Sequence, residues 1–348
     1  MIPGTNDPVS NFLRGNPSGR LFWLLDFDLN WVENRPEEVG TRMALMEDFG
    51  SVIVHGIMQS HFALSTHDGS IQYKETPEGN IQTRTWRTPL GTARTILQDG
   101  HPIEHPIKTP EDCRVMRYVH EHTHIAPNPD AIQIPLHLMT LNPSPVQQLL
   151  QYDMGLENFY GLLMDHPGEV ESLIAAMQQN QMKILEIACG FDSQWIYRGE
   201  NTSTTMISPA YYERLSLPQI RQYADYVHGR DKKLMLHMCG LLKDLLTLFV
   251  KAGIDGIHSV TPPPVGNTPF EDVYRHFPSD FPIFGRFGST QWHNLPENQI
   301  RQNLDNILTK DMLMKHPFIL QVTLDSVHVE YSELKRLRQI LETYEPSN

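Results

Sequence analysis

The sequence predicts an α/β fold: a (β/α)8 TIM barrel with a β-hairpin insertion in its N-terminal third. Three observations carry that prediction. Short apolar runs recur along the chain, about eight of them, the number that closes a barrel of parallel strands. Segments of helical period separate most of them. One segment, about residues 67–107, breaks the alternation. Barrels of this kind routinely use some 350 residues for one core, so residues 1–348 are expected to form a single domain.

In chain order the runs are "RLFWLLDFDL", "GSVIVHG", "AIQIPLHLM", "SQWIYRG", "KKLMLHMC", "IDGIHSV", "FPIFGRFG" and "FILQVTLD". Each is short, and longer segments of helical period separate it from the next. The helical partners carry their own signals. "RPEEVGTRMALMEDFG" has acids in its first turn and a terminal glycine, and "SPAYYERLSLPQIRQYADYVHGRDKK" opens with a serine cap followed by proline. In the exceptional segment, "HDGS", "PEGN" and "PLGT" mark turns, and "IQTRTWRT" alternates with period two. Antiparallel hairpins are expected there, as a lid or an oligomer edge.

Composition narrows the partners. A formal net charge of -13 and a pI near 5.7 argue against a surface that neutralises nucleic-acid phosphates or anionic lipid. Three cysteines without framework spacing, Cys113, Cys189 and Cys239, point away from a disulfide scaffold and toward a reducing compartment. No apolar run approaches the ~18 residues that span a bilayer, and the N-terminus lacks the apolar core of a signal peptide. A cytoplasmic protein is expected. There is no fixed-period repeat and no glycine-rich phosphate loop, so nucleotide cofactors have no support.

The chemistry gathers at "LMLHMCG". Side chains two apart on a strand face the same way, so His237 and Cys239 project together while Leu236 and Met238 face the other side. They end the strand just before Gly240, at the rim where barrel enzymes place catalytic residues. Imidazole and thiolate suit zinc, and a catalytic zinc takes three protein ligands plus an open position. The alternative from the residues alone is a satisfied core histidine beside a small hydrophobe. "HEHTH" at 120–124 does not gather its rings at helical period and is expected at the solvated surface. Cys113 and Cys189 sit on helical segments, where burial is the default.

The chain resembles the uroporphyrinogen decarboxylase superfamily, and within it the zinc methyltransferases that work with corrinoid proteins. The resemblance rests on "HMCG" at 237–240, "MISPAYYERLSLPQIRQY" before it, "AGIDGIHSVTPPPVGN" after it and "ILQVTLDSVHVEYSELKRL" near the end, and runs from roughly residue 36 onward. It implies a (β/α)8 barrel with zinc held by the His and Cys of His-x-Cys and by a second cysteine ending the last strand. His237 and Cys239 match. "FILQVTLDSV" has no cysteine, and Asp325 is the nearest metal-competent side chain, or else a loop carboxylate. A carboxylate in place of a thiolate would make the zinc a stronger Lewis acid, so that an alcohol, methoxy group or carboxylate becomes a credible ligand.

The resemblance further implies methyl transfer, of methyltransferase or O-demethylase type, between a small molecule and cobalamin carried by a partner protein. A homodimer is compatible with it. Glu200 would then be a fourth zinc ligand or a general base, or a capping acid. His258 would face substrate or pack in the core. Asp26 and His55 would line the cavity, with Asp28 on the face of Asp26, and Arg198 and Asn201 would fix an anionic substrate group. The superfamily's decarboxylation of tetrapyrroles wants arginines where "LLDFDLNW" offers acids. A barrel that binds a corrinoid without catalysis is the remaining expectation.

Overall fold

A computed structural model describes residues 8–26, 36–40, 44, 49, 59–131, 138–325 and 327–346. Thirteen strands lie among them: β1 (Trp23–Asp26), β2 (Ala63–His67), β3 (Gln72–Glu78), β4 (Ile81–Thr88), β5 (Gly91–Gln98), β6 (His101–Glu104), β7 (Thr123–Pro127), β8 (Leu138–Leu141), β9 (Trp195–Gly199), β10 (Lys233–His237), β11 (Gly256–Val260), β12 (Ile283–Phe287) and β13 (Phe318–Thr323). Seven of these form one curled parallel sheet in the order β1-β13-β12-β11-β10-β9-β8. Consecutive strands from β8 to β13 are neighbours, and the last pairs with the first, as in a barrel wound in one direction. The run "GSVIVHG", expected as a further strand, lies outside the described residues.

Alternation along these strands builds two cores. Leu24, Leu138, Trp195, Met235, Phe284 and Ile319, one from each of six strands, meet on the inner face. The short helix Pro8–Leu13 joins them with Val9, Phe12 and Leu13, Phe12 setting its ring edge-on to Phe284 at 4.8 Å. The outward parity, with Ile196, Leu236, Ile257, Leu320 and Val322, packs under the surrounding helices. Burying each such side chain contributes ~1.5–3 kcal/mol, so the parity of each strand is strongly fixed.

The helices start where the sequence signals them. Ser208 accepts a hydrogen bond from the Tyr211 N–H, Pro209 follows, and the chain continues helically to the helix Leu217–His228. Thr109 and Asp112 close a reciprocal capping box on the helix Pro110–Glu121, whose inner side holds buried Cys113. Cys189 ends the helix Pro167–Cys189.

Residues 72–104 form a four-stranded antiparallel sheet, β3-β4-β5-β6, and β2 pairs antiparallel with β7. Strand β5 turns Ala93, Thr95 and Leu97 inward, while β3 is exposed throughout. The histidines of "HEHTH" are not simply solvated. His122 stacks on Tyr118 at 3.7 Å, and burial lowers the His120 pKa to about 4. Among the described residues no helix is long and apolar enough to cross a membrane.

Candidate functional site

Above the inner apolar layer, one strand step nearer the C-terminal ends, the inward positions turn polar. Asp26 follows Leu24, His237 follows Met235, Arg286 follows Phe284 and Gln321 follows Ile319, each at period two. Because the helix Pro8–Leu13 plugs the other end, this polar layer faces the mouth, where barrels place their chemistry.

His237 and His258 are register partners on β10 and β11. Their Nδ1 atoms lie 2.8 Å apart, and the Tyr197 hydroxyl is 3.3 Å from the same His258 nitrogen. Two imidazole nitrogens at that distance share one proton, an N–H on one ring meeting the lone pair of the other. In the tautomer whose shared proton sits on His237 Nδ1, Nε2 is the atom through which His237 would bind a metal. Burial raises the Tyr197 pKa well above its ordinary value, and the charges of Asp26 and Cys239 add to the effect, so the phenol remains a neutral hydrogen-bonding group.

Cys239 lies two residues beyond His237, its thiol donating to Asn201 Oδ1 at 3.5 Å. Burial raises its pKa, nearby Arg286 lowers it and Asp325 raises it again. The net direction is upward, so the group is a thiol until a cation displaces the proton. Gly240 sets the path of this loop, because a Cβ there would lie 2.2 Å from Ser203 Cβ. Asn201 takes φ +46, a left-handed conformation that asparagine tolerates better than most side chains.

Asp325, expected as the third ligand, is instead an anchored counter-ion. It accepts from the Ser289 N–H at 2.6 Å, the Ser289 hydroxyl at 3.1 Å and the Thr323 hydroxyl at 2.6 Å, and pairs with Arg286 Nη2. Burial alone would raise its pKa, but these donors together hold it below the usual carboxylate value. Both oxygens are therefore occupied.

Two further expectations are corrected by strand parity. Arg198 shares the outward face of β9 with Ile196, not the rim. It is fully buried, donates to Asn142 O at 2.7 Å and Gln181 Oε1 at 3.0 Å, and lies 3.9 Å over the Tyr223 ring. An anionic substrate does not meet it there. Glu200 is 1% exposed, accepting from the Ser144 N–H at 2.8 Å and the Ser144 hydroxyl at 2.7 Å. Burial raises its pKa against the opposing pull of Arg198 and Ser144. Its carboxylate caps the turn that begins the helix Pro145–Gln148, while its backbone N–H donates to His237 O at 3.0 Å.

Asp26, on the inward parity of β1, accepts from Gln321 Nε2 at 2.9 Å. His55 and Asp28 lie outside the described residues. Sequence reasoning missed Arg286, Gln321 and Tyr197. Each stands two residues after an inward apolar side chain, the same spacing that singled out His237.

His237 and Cys239 supply one nitrogen and one sulfur at the mouth, both acceptable to zinc. Asp325 does not supply the third position, and among the described residues no group of three or more His, Cys, Asp or Glu side chains is placed to hold a metal ion. A zinc ion held by these two side chains would need ligands beyond that set.

Residues 143–328, more than half of the chain, match the family model described as Uroporphyrinogen decarboxylase (URO-D). Among solved structures, a methyltransferase from Methanosarcina mazei superposes with a TM-score of 0.58 at 12% identity, covering 96% of this chain and 97% of that one. A D-psicose 3-epimerase from Clostridium cellulolyticum H10 follows at a TM-score of 0.33 and 9% identity, covering 60% and 83%. The first similarity extends over the whole fold; the second is too weak to carry an argument. A search of curated proteins finds no match to the sequence.

Proposed function

Because the chain belongs to the uroporphyrinogen decarboxylase family, we propose that it is a methyl-transfer enzyme of that superfamily, moving a methyl group between a small substrate and a corrinoid held by a partner protein. The observation that carries this reading is the placement of His237 and Cys239 at the C-terminal mouth of the sheet, in a polar layer closed from below by an apolar plug. The full-length similarity to a methyltransferase fold supports the same architecture.

In this reading His237 Nε2 and Cys239 Sγ hold zinc. The ion would polarise the methylated or methyl-accepting heteroatom of the substrate. His258 fixes the His237 ring through Nδ1, and the Tyr197 hydroxyl steadies His258. Asn201 orients the Cys239 thiol, and Gly240 lets the loop pass Ser203 closely enough to keep it there. The Arg286–Asp325 pair forms the wall beside Cys239. A polycarboxylate tetrapyrrole would meet the Asp26 carboxylate at the same mouth, which disfavours decarboxylation of such a substrate.

The test is methyl transfer to free cobalamin held in the cob(I) state by an added chemical reductant, followed by the visible spectrum of the cobalt centre, over a panel of methylated alcohols, thiols and amines. The wild type is expected to demethylate at least one of them, with His237→Ala and Cys239→Ala both inactive. Activity retained by both variants would remove these two side chains from the mechanism.

A further inference from the structure

Arg286 and Gln321 are register partners on β12 and β13, side by side on the inner face. Gln321 is 4% exposed. Its Nε2 donates to Asp26 Oδ2 at 2.9 Å, which fixes the amide, because a carboxylate accepts and does not donate. The other end, Oε1, is buried and accepts no hydrogen bond among the described residues. A buried acceptor without a donor carries the full penalty of its lost hydration, so it marks a place where a ligand's N–H or O–H belongs.

Arg286 presents the complementary charge. Its Nε donates to Thr323 Oγ1 at 3.3 Å and its Nη2 to Asp325, leaving Nη1 as the part of the fork that neither engages. The side chain is 21% exposed, so this nitrogen is within reach of a bound molecule. Asp325 is tied down by Ser289 and Thr323 and works as the strut that keeps the guanidinium in one orientation. On the far side of Gln321, Asp26 places a carboxylate that favours a cationic donor over a neutral hydroxyl.

We infer that the mouth recognises a small zwitterion, its carboxylate on Arg286 and its ammonium N–H on Gln321 Oε1 beside Asp26. An amino acid with one or two carbons between its amine and its carboxylate spans neighbouring strands in this way. The inference names the substrate class for the methyl-transfer reading and rests on it only for the presence of the methyl group. Recognition itself needs neither zinc nor corrinoid.

Three probes separate the contributions: N-methylglycine, which has both groups; methoxyacetate, which has the carboxylate without the N–H; and N-methylglycinamide, which has the N–H without the carboxylate. Titration calorimetry on the full-length protein, with and without added zinc, should show saturable binding of N-methylglycine. Each analogue should bind weaker by about tenfold or more, the worth of one charge-assisted contact. Arg286→Gln should abolish the preference over N-methylglycinamide, and Gln321→Met the preference over methoxyacetate. Arg286→Lys keeps the charge without the fork and should retain part of the first preference.

Absence of saturable N-methylglycine binding by the wild type overturns the inference. So does a ranking that survives both Arg286→Gln and Gln321→Met. These readouts involve no methyl transfer, so failure of that chemistry with the ranking intact refutes the proposed function and not the zwitterion site.

Discussion

His237 Nδ1 and His258 Nδ1 stand 2.8 Å apart across neighbouring parallel strands. That contact makes His258 the group that fixes the rotation and tautomer of His237. Removing such a partner from a metal-binding histidine weakens metal affinity by about 10–100-fold. His258→Ala is therefore expected to lower zinc affinity by that factor, measured by competition with a chelating dye, with His258→Asn recovering part of the loss. Equal affinity in all three proteins would make the contact one of packing alone.

Glu200 separates capping from catalysis. Its folded pKa is raised by burial, so the folded state binds more protons than the unfolded state between the two values. Its contribution to stability is full below the unfolded pKa and is lost as pH rises through the folded one. Glu200→Gln keeps an acceptor for the Ser144 N–H and removes the charge. Its melting temperature is expected to rise relative to wild type as pH increases above the unfolded carboxylate value of about 4.3. Glu200→Ala leaves that buried N–H unpaired and should cost ~1–3 kcal/mol at neutral pH. A Glu200→Gln variant that keeps its stability and loses activity completely would return the residue to the reaction.

Arg198 makes a parallel case on the outward face of β9. Truncation to alanine leaves Glu200 without its buried counter-charge and vacates the space over Tyr223, so Arg198→Ala should cost ~3–5 kcal/mol in denaturant melts. Arg198→Met fills the space without a charge and should cost less. Neither change is expected to alter the number of zinc ions bound per folded chain.

Gly240 couples the loop to the site. An alanine Cβ would lie 2.2 Å from Ser203 Cβ, so the chain after Cys239 must move. Gly240→Ala is expected to cost ~1–3 kcal/mol and to weaken zinc binding, while the double variant Gly240→Ala/Ser203→Gly should recover part of both. Zinc affinity equal to wild type in Gly240→Ala would show that this loop does not position Cys239.

Much of the parallel sheet is legible in the chain, because strands covered on both faces read as apolar runs: "SQWIYRG", "KKLMLHMC" and "FILQVTLD" coincide with β9, β10 and β13. The same property hides orientation. When both parities are apolar, nothing in "QWIYRG" says that Tyr197 faces the mouth and Arg198 the helices, and Arg198 was assigned to the wrong side for that reason. His237 was legible because Met235 and the following glycine frame it. Arg286 in "IFGRFG" and Gln321 in "FILQVT" have the same framing, but their significance depends on being side by side across two strands. Asp325 was placed at the right strand end; its loss as a ligand follows from Arg286 and Ser289, which lie 39 and 36 residues earlier in the chain.

The proposed chemistry needs the imidazole of His237 and the sulfur of Cys239 to converge on one ion. Zinc-edge X-ray absorption on the purified protein tests it directly. One zinc per chain is expected, with a single sulfur neighbour at ~2.3 Å among nitrogen and oxygen ligands, and loss of the sulfur shell in Cys239→Ser. A zinc shell without sulfur, or active protein without zinc, would contradict it.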